Sequence, residues 1–150
     1  MEQTDLIQKY YNFLKKADHT FPVPLSQKQD LLSYAHKLQE RATICAFWEN
    51  DEIISMVAGY TDNLEHGLAY IAIAATLECG RGRGLASMML QEFLNICKDK
   101  GVNAVHLYTT PSNKAALHLY QKLGFLPWNP SDEPRPKDTH LILYFKESVI

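Results

Sequence analysis

Long apolar runs, paired cysteines and an excess of charge of either sign are all missing from this chain of 150 residues. The longest mostly apolar stretch, residues 68–77, falls far short of the ~20 residues that span a bilayer, and no targeting segment is apparent. No membrane contact is expected. Three cysteines, Cys45, Cys79 and Cys97, are odd in number and lie in or beside apolar segments, which points to reduced thiols in a cytoplasmic protein rather than a disulfide framework. They show neither C-x-x-C spacing nor a histidine at a ligand interval, so no metal is expected. A formal charge of −2 gives no global attraction to nucleic acid. With 46% hydrophobic and 21% charged residues, the composition is that of a soluble globular protein, and residues 1–150 are of single-domain size.

Glycine is sparse too, at seven residues, yet three of the seven fall within Gly80-Arg81-Gly82-Arg83-Gly84. The apolar run before them, free of Gly and Pro, suits a strand buried on both faces. The residues after them open a helical pattern. Strand, turn and helix in this order make an anion site: glycines let successive N–H groups point into one concavity, and the helix start adds unpaired N–H groups and its positive dipole end. No Lys-Ser/Thr pair follows, which excludes a P-loop, and neither glycine register fits a dinucleotide fingerprint. A plain structural turn remains the alternative, with Arg81 and Arg83 a solvated surface pair.

The other elements follow from pattern. Thr4 caps a helix to about Ala17, with Leu6, Tyr10, Phe13, Leu14 and Ala17 on one side. Pro22 and Pro24 interrupt the chain, and Ser26 with Gln29 forms a capping box for a second helix to about Glu40, with Leu31, Leu32, Ala35 and Leu38 inward. Residues 43–49 and 53–60 flank Asn50-Asp51 as a hairpin. A helix runs from Gly84 to about Lys100, a strand over 102–110, a short helix to about Leu123, a strand over 125–128 and a last strand over 140–146. The βαβ unit closed by the 102–110 strand is parallel and right-handed. The fold class is α/β with a mixed sheet.

On the short helix Asn113, Ala116 and Tyr120 share one face, and Gly124-Phe125 turns the chain back. The spacing Asn113-x-x-Ala116-x-x-x-Tyr120-x-x-x-Gly124-Phe125, preceded by Arg81-x-x-Gly84-x-Ala86, resembles the two signatures of the GNAT superfamily of N-acetyltransferases, in the family's order. Together they cover about residues 69–125. Members usually begin with a strand, and residues 1–4 are too few to supply much of one, so that edge of the sheet is expected to be missing.

The resemblance implies a single GNAT-like domain whose two central parallel strands splay apart, and acetyl-CoA as cofactor. It places the pyrophosphate on the amides of Arg81, Gly82, Arg83, Gly84, Leu85 and Ala86, and pantetheine beside Ala74, Ala75 and Thr76. Asn113 would bond the cofactor or its neighbouring strand, or else cap its own helix. Tyr120 would protonate the leaving sulfur, unless it is merely a packed aromatic. Glu78 is taken as the base, with Glu65, His66, His106, Tyr108 and relayed water as other candidates. The acceptor would enter past the first two helices, the 21–26 link and the 131–138 loop, a region carrying Tyr10, Tyr11, Tyr34, Lys37 and His19. The expected activity is acetylation of a small-molecule primary amine by a monomer or homodimer. The alternatives are a protein or peptide N-acetyltransferase and a non-catalytic acyl-CoA-binding sensor.

Overall fold

The computed structural model describes residues 2–62 and 67–145, so the candidate bases Glu65 and His66 lie outside the described residues. Helix α1 (Gln3–Ala17) begins with Glu2, not Thr4, at its N-cap, and buries Tyr10, Phe13, Leu14 and Ala17. The capping box expected at Ser26 does not form. Ser26 instead turns back to Asp18, donating its amide at 2.8 Å and its hydroxyl at 2.5 Å, and only a single 3-10 turn, Leu25–Gln27, follows Pro24. Helix α2 (Leu31–Arg41) starts later, at Asp30, whose carboxylate accepts the Ser33 amide at 2.9 Å. The shift leaves Leu32 exposed at 41%, where it was expected inside, while Ala35 and Leu38 are buried.

Strands β1 (Thr43–Glu49) and β2 (Glu52–Tyr60) form the expected hairpin, with Asn50 and Asp51 at φ 52° and 64°. Two left-handed residues give the turn a twist that matches the strands. Then come β3 (Leu68–Thr76), α3 (Leu85–Asp99), β4 (Ala104–Thr109), α4 (Lys114–Lys122), β5 (Leu126–Pro127) and β6 (Thr139–Tyr144). The strand expected over 125–128 is only two residues long. The sheet runs β1-β2-β3-β4-β6-β5, with β3 and β4 parallel and every other pair antiparallel. No strand precedes α1 among the described residues, and β1 is the edge. Helices α1 and α2 cover one face, around Phe13, Leu38 and Met56; α3 and α4 cover the other, around Phe93, Val105 and Phe125.

One irregularity opens the sheet. Gly59 opposes Ile71 and Ala58 opposes Ile73, so Ala72 is an extra residue in β3, a β-bulge. The bulge reverses which side chains face which layer. Ala69 and Ile71 pack with α3, whereas Ile73 packs with α1 and α2. It also coincides with the end of parallel pairing, whose last partners are Ile71 and Leu107. Beyond that point β3 stays with β2 as far as Thr76, while β4 stays with β6 as far as Thr109. The two central strands therefore diverge. Gly59 permits the bend, since a Cβ there would lie 2.1 Å from the Tyr70 carbonyl oxygen and 2.8 Å from the Phe93 ring.

Candidate active site

The divergence leaves a cleft of about 320 Å³. Ala72, Ile73 and Ala74 of β3 form one wall, and Tyr108, Thr109 and Thr110 form the other. Because β4 has turned away, the β4-facing backbone groups of residues 72–76 have no strand partner among the described residues. Of the three positions expected to meet pantetheine, Ala74 lines the cleft. Ala75 packs toward α1 and α2, and the Thr76 hydroxyl lies 2.8 Å from that of Ser55.

At the end of β3 the chain makes a 3-10 turn, Glu78–Gly80, and then a glycine turn into α3. Gly82 and Gly84 both take left-handed φ, +77° and +73°, and a Cβ on either would meet nothing within 4 Å. Both glycines therefore serve conformation and leave open space above them. The first amide of α3 with a main-chain partner is that of Met88, bonded to the Gly84 carbonyl; the amides of residues 82–87 have none among the described residues. Leu85 is buried and pins the turn to the core, while Arg81 is exposed. Arg83 forms a two-pronged ion pair with Glu49 of β1, with its guanidinium over the Phe47 ring. An exposed cradle of unpaired amides at a positive helix end fits a pyrophosphate, and the unpaired edge of β3 fits an amide-bearing arm.

Helix α4 closes the other side. Asn113 is its N-cap, accepting the Ala116 amide at 3.3 Å, and it also lines the cleft. Of the two roles the sequence allows Asn113, the cap on its own helix is the one present in the structure. The helix ends at Gly124 (φ +102°), where the Gly124 amide bonds the Gln121 carbonyl and the Phe125 amide bonds that of Tyr120, a Schellman arrangement. Tyr120 lines the cleft with its ring 93% buried, and burial pushes its phenol up to about 12. Its hydroxyl has no hydrogen-bond partner among the described residues. Packed aromatic and cleft residue are thus the same side chain. Glu78 is exposed on the 3-10 turn and is not among the residues lining the cleft.

A cluster on the acceptor side was only half legible in the sequence. His106 and Tyr108 share one face of β4, and β6 sets His140 opposite Tyr108, the two rings stacked at 4.0 Å. Glu133, from the 131–138 loop, accepts from the Tyr108 hydroxyl at 2.7 Å and the Arg135 amide at 2.9 Å, and lies 2.6 Å from His140 Nδ1. Burial would raise the Glu133 carboxyl, but these bonds prevail and hold it at about 2. An ionised Glu133 fixes the tautomers: His140 donates from Nδ1 to Glu133, so its Nε2 accepts from His106 Nδ1, 2.8 Å away. His106 Nε2 is left as a lone pair. Burial, with His140 beside it, pulls His106 down to about 4; His106 is not among the residues lining the cleft, but its ring lies 5.1 Å from that of Tyr70, which is. Alternation on β4 hinted at this group; Glu133 and Trp128, which packs edge-on to His106, had no sequence signal.

Of the side chains expected at the acceptor entrance, Tyr34 and Lys37 line the cleft and Tyr10, Tyr11 and His19 do not. No helix among the described residues is long and apolar enough to cross a membrane.

The family model for the Acetyltransferase (GNAT) family matches residues 7–125. This chain belongs to the GNAT family of acetyltransferases. Relatives within the family differ in their acceptors. The chain is 29% identical over 104 residues to N-alpha-acetyltransferase MAK3 of Arabidopsis thaliana, covering 68% of this chain and 55% of that protein. It is 35% identical over 78 residues to L-2,4-diaminobutyric acid acetyltransferase of Halalkalibacterium halodurans, covering 51% of this chain and 40% of that one. With mycothiol acetyltransferase of Tsukamurella paurometabola it shares 39% identity over 59 residues, which is 39% of this chain and 20% of the relative. The matches thus span from a fifth to just over half of these relatives' lengths. In fold, the GNAT chain is similar to the ribosomal-protein-S18-alanine N-acetyltransferase of Escherichia coli (TM-score 0.71, 19% identity, 100% of this chain and 95% of that one). A second likeness in fold is to the PaiA N-acetyltransferase of Thermoplasma acidophilum in complex with coenzyme A (TM-score 0.72, 13% identity, 97% and 96% covered).

Proposed function

We propose that this GNAT protein acetylates the primary amine of a small molecule. The observation that carries the reading is that the open edge of β3 and Tyr120 share one cleft, and that the chain leaving β3 turns directly into the unpaired amides of residues 82–87. Acetyl-CoA, when bound, supplies an activated acetyl thioester. The Arg81 amide, expected in the cradle, is taken by the Glu78 carbonyl at 3.2 Å, so the amides of residues 82–86 hold its pyrophosphate, and the backbone of residues 74–76 orients its arm toward Tyr120. Asn113 fixes the start of α4 and so the position of Tyr120. Tyr120 is the acid: burial raises its phenol to about 12, which keeps it protonated but makes donation to the leaving thiolate uphill, so hydrogen bonding of the sulfur to the phenol must assist. A positioned acid contributes roughly 10²–10⁴ in rate.

The amine must lose a proton on the opposite side. His106 does not line the cleft, so the proton reaches its Nε2 through water past Tyr70; as His106 takes it up, its Nδ1 proton passes to His140, which stays paired with Glu133. A histidine of low basicity serves here because the charge settles deeper, beside a carboxylate. Glu78 is the competing base; loss of rate in Glu78→Gln but not in His106→Asn would select it.

A protein N-terminus is the second reading, favoured by the relative named as an N-alpha-acetyltransferase. The modest cleft volume, with Phe21, Pro22, Val23 and Leu25 among its lining, supports the small acceptor. A thiol-release assay with a panel of small amines and peptides tests the choice. Turnover on small amines above that on every peptide is expected; peptides leading throughout would overturn it, and tight coenzyme A binding without any transfer would indicate the sensor.

A further inference from the structure

The acceptor end of the cleft is cationic. Lys28, Lys37 and Arg135 line it, and no aspartate or glutamate among the described residues does. Some cations elsewhere meet carboxylates, Lys9 with Asp51, Lys16 with Glu52, Arg83 with Glu49 and Lys100 with Asp62, while others such as Lys15 and Lys98 lie over aromatic rings outside the cleft. Lys28 and Lys37 have no carboxylate partner among the described residues. Lys37 holds its ammonium 5.4 Å from the centre of the Tyr60 ring, at the cleft wall. Arg135 is fixed by Asp138 at 2.6 Å and by the Tyr108 ring, 4.4 Å below its guanidinium. The nearby carboxylate of Glu133 is already engaged by Tyr108 and His140.

Resting on the acetyltransferase reading above, we propose that the acceptor is a small amine that also carries a carboxylate, bound by Lys37 and Lys28 with Arg135 at the far wall. Two consequences of the charge pattern agree. A positive rim disfavours an ammonium at the site and so favours the neutral amine that attacks. The same rim repels a second ammonium, which disfavours diamines and polyamines, and it matches an anionic tail. Tyrosine hydroxyls of Tyr34, Tyr60 and Tyr70 add donors around the tail without adding negative charge.

The test compares matched acceptors: amino acids against their amides and against diamines of equal length, each with acetyl-CoA, in wild type, Lys37→Gln and Lys28→Gln. The expected result is kcat/KM about tenfold or more higher for the acid than for its amide, expressed in KM. That ratio should shrink severalfold in either lysine variant, and in wild type as salt rises from low to about 0.5 M, because exposed charges are screened. Both lysines are exposed, so the variants should fold. Equal rates on acid and amide, a preference for diamines, or a ratio indifferent to both lysines and to salt would overturn the proposal while leaving the acetyltransferase reading intact. Coenzyme A binding with no transfer to any amine would overturn both, whereas peptides outpacing every free acid would overturn the proposal and the small-acceptor reading while leaving acetyl transfer itself intact.

Discussion

The Tyr120 and Phe125 rings meet edge-on, with centroids 5.6 Å apart, because the Schellman turn at Gly124 folds the chain back on the last turn of α4. Two residues of a linear signature are thereby a packing pair, and the pair sets where the phenol opens onto the cleft. Tyr120→Phe keeps the ring and removes only a hydroxyl that has no partner among the described residues. It is expected to change stability by less than about 1 kcal/mol. Acetyl transfer should nonetheless fall by about 10²-fold or more, with coenzyme A affinity unchanged. Denaturant melts, calorimetry and thiol-release kinetics on the one variant check all three.

Gly84→Asp places a side chain and a negative charge in the amide cradle. Nothing lies within 4 Å of the new Cβ, so the folded chain suffers only the left-handed φ of +73°, about 1 kcal/mol. Coenzyme A affinity should drop by about a hundredfold. Calorimetry showing unchanged affinity would remove the turn from the site.

Gly59→Ala probes the bulge. The added methyl has no room against the Tyr70 carbonyl and Phe93, and because the first of these is backbone, the strands must move. A loss of about 2–3 kcal/mol in urea melts is expected. Activity should fall as well, since the same bend separates β3 from β4.

His106 adds a pH dependence to stability. Its folded value near 4 lies below its ordinary 6.5, so between these the unfolded chain binds a proton that the folded chain refuses. Stability contributed by the neutral ring is therefore full above pH 6.5 and is lost as pH falls toward 4. Discounted for a half-exposed ring, the loss is about 2 kcal/mol. Glu133 loses its own contribution as pH falls from the ordinary 4.5 toward its folded value of about 2, so it overlaps only the low end of this window and the slope above pH 5 belongs to the histidine. Urea melts from pH 7 to 4 should slope in wild type and flatten in His106→Asn.

What the sequence disclosed was local in origin. The glycine turn, the Asn113-to-Phe125 spacing and the Asn50-Asp51 hairpin each act within a few residues, and each stands where expected. The expected cap at Ser26 failed because Asp18, eight residues upstream, holds both the amide and the hydroxyl of that serine. Nothing in Ile71-Ala72-Ile73 marks the bulge; it follows from the contact of Gly59 with β3 across the hairpin-paired strands. The histidine pair joins residues 34 apart, and needs the register of β4 against β6 before it exists at all.

The most direct measurement is a crystal structure of this chain with coenzyme A. The account predicts pyrophosphate oxygens on the amides of residues 82–86, the arm along residues 74–76 and the sulfur within hydrogen-bonding reach of the Tyr120 hydroxyl. Clear density for the ligand outside the cleft between β3 and β4, or a sulfur directed away from Tyr120, would contradict it.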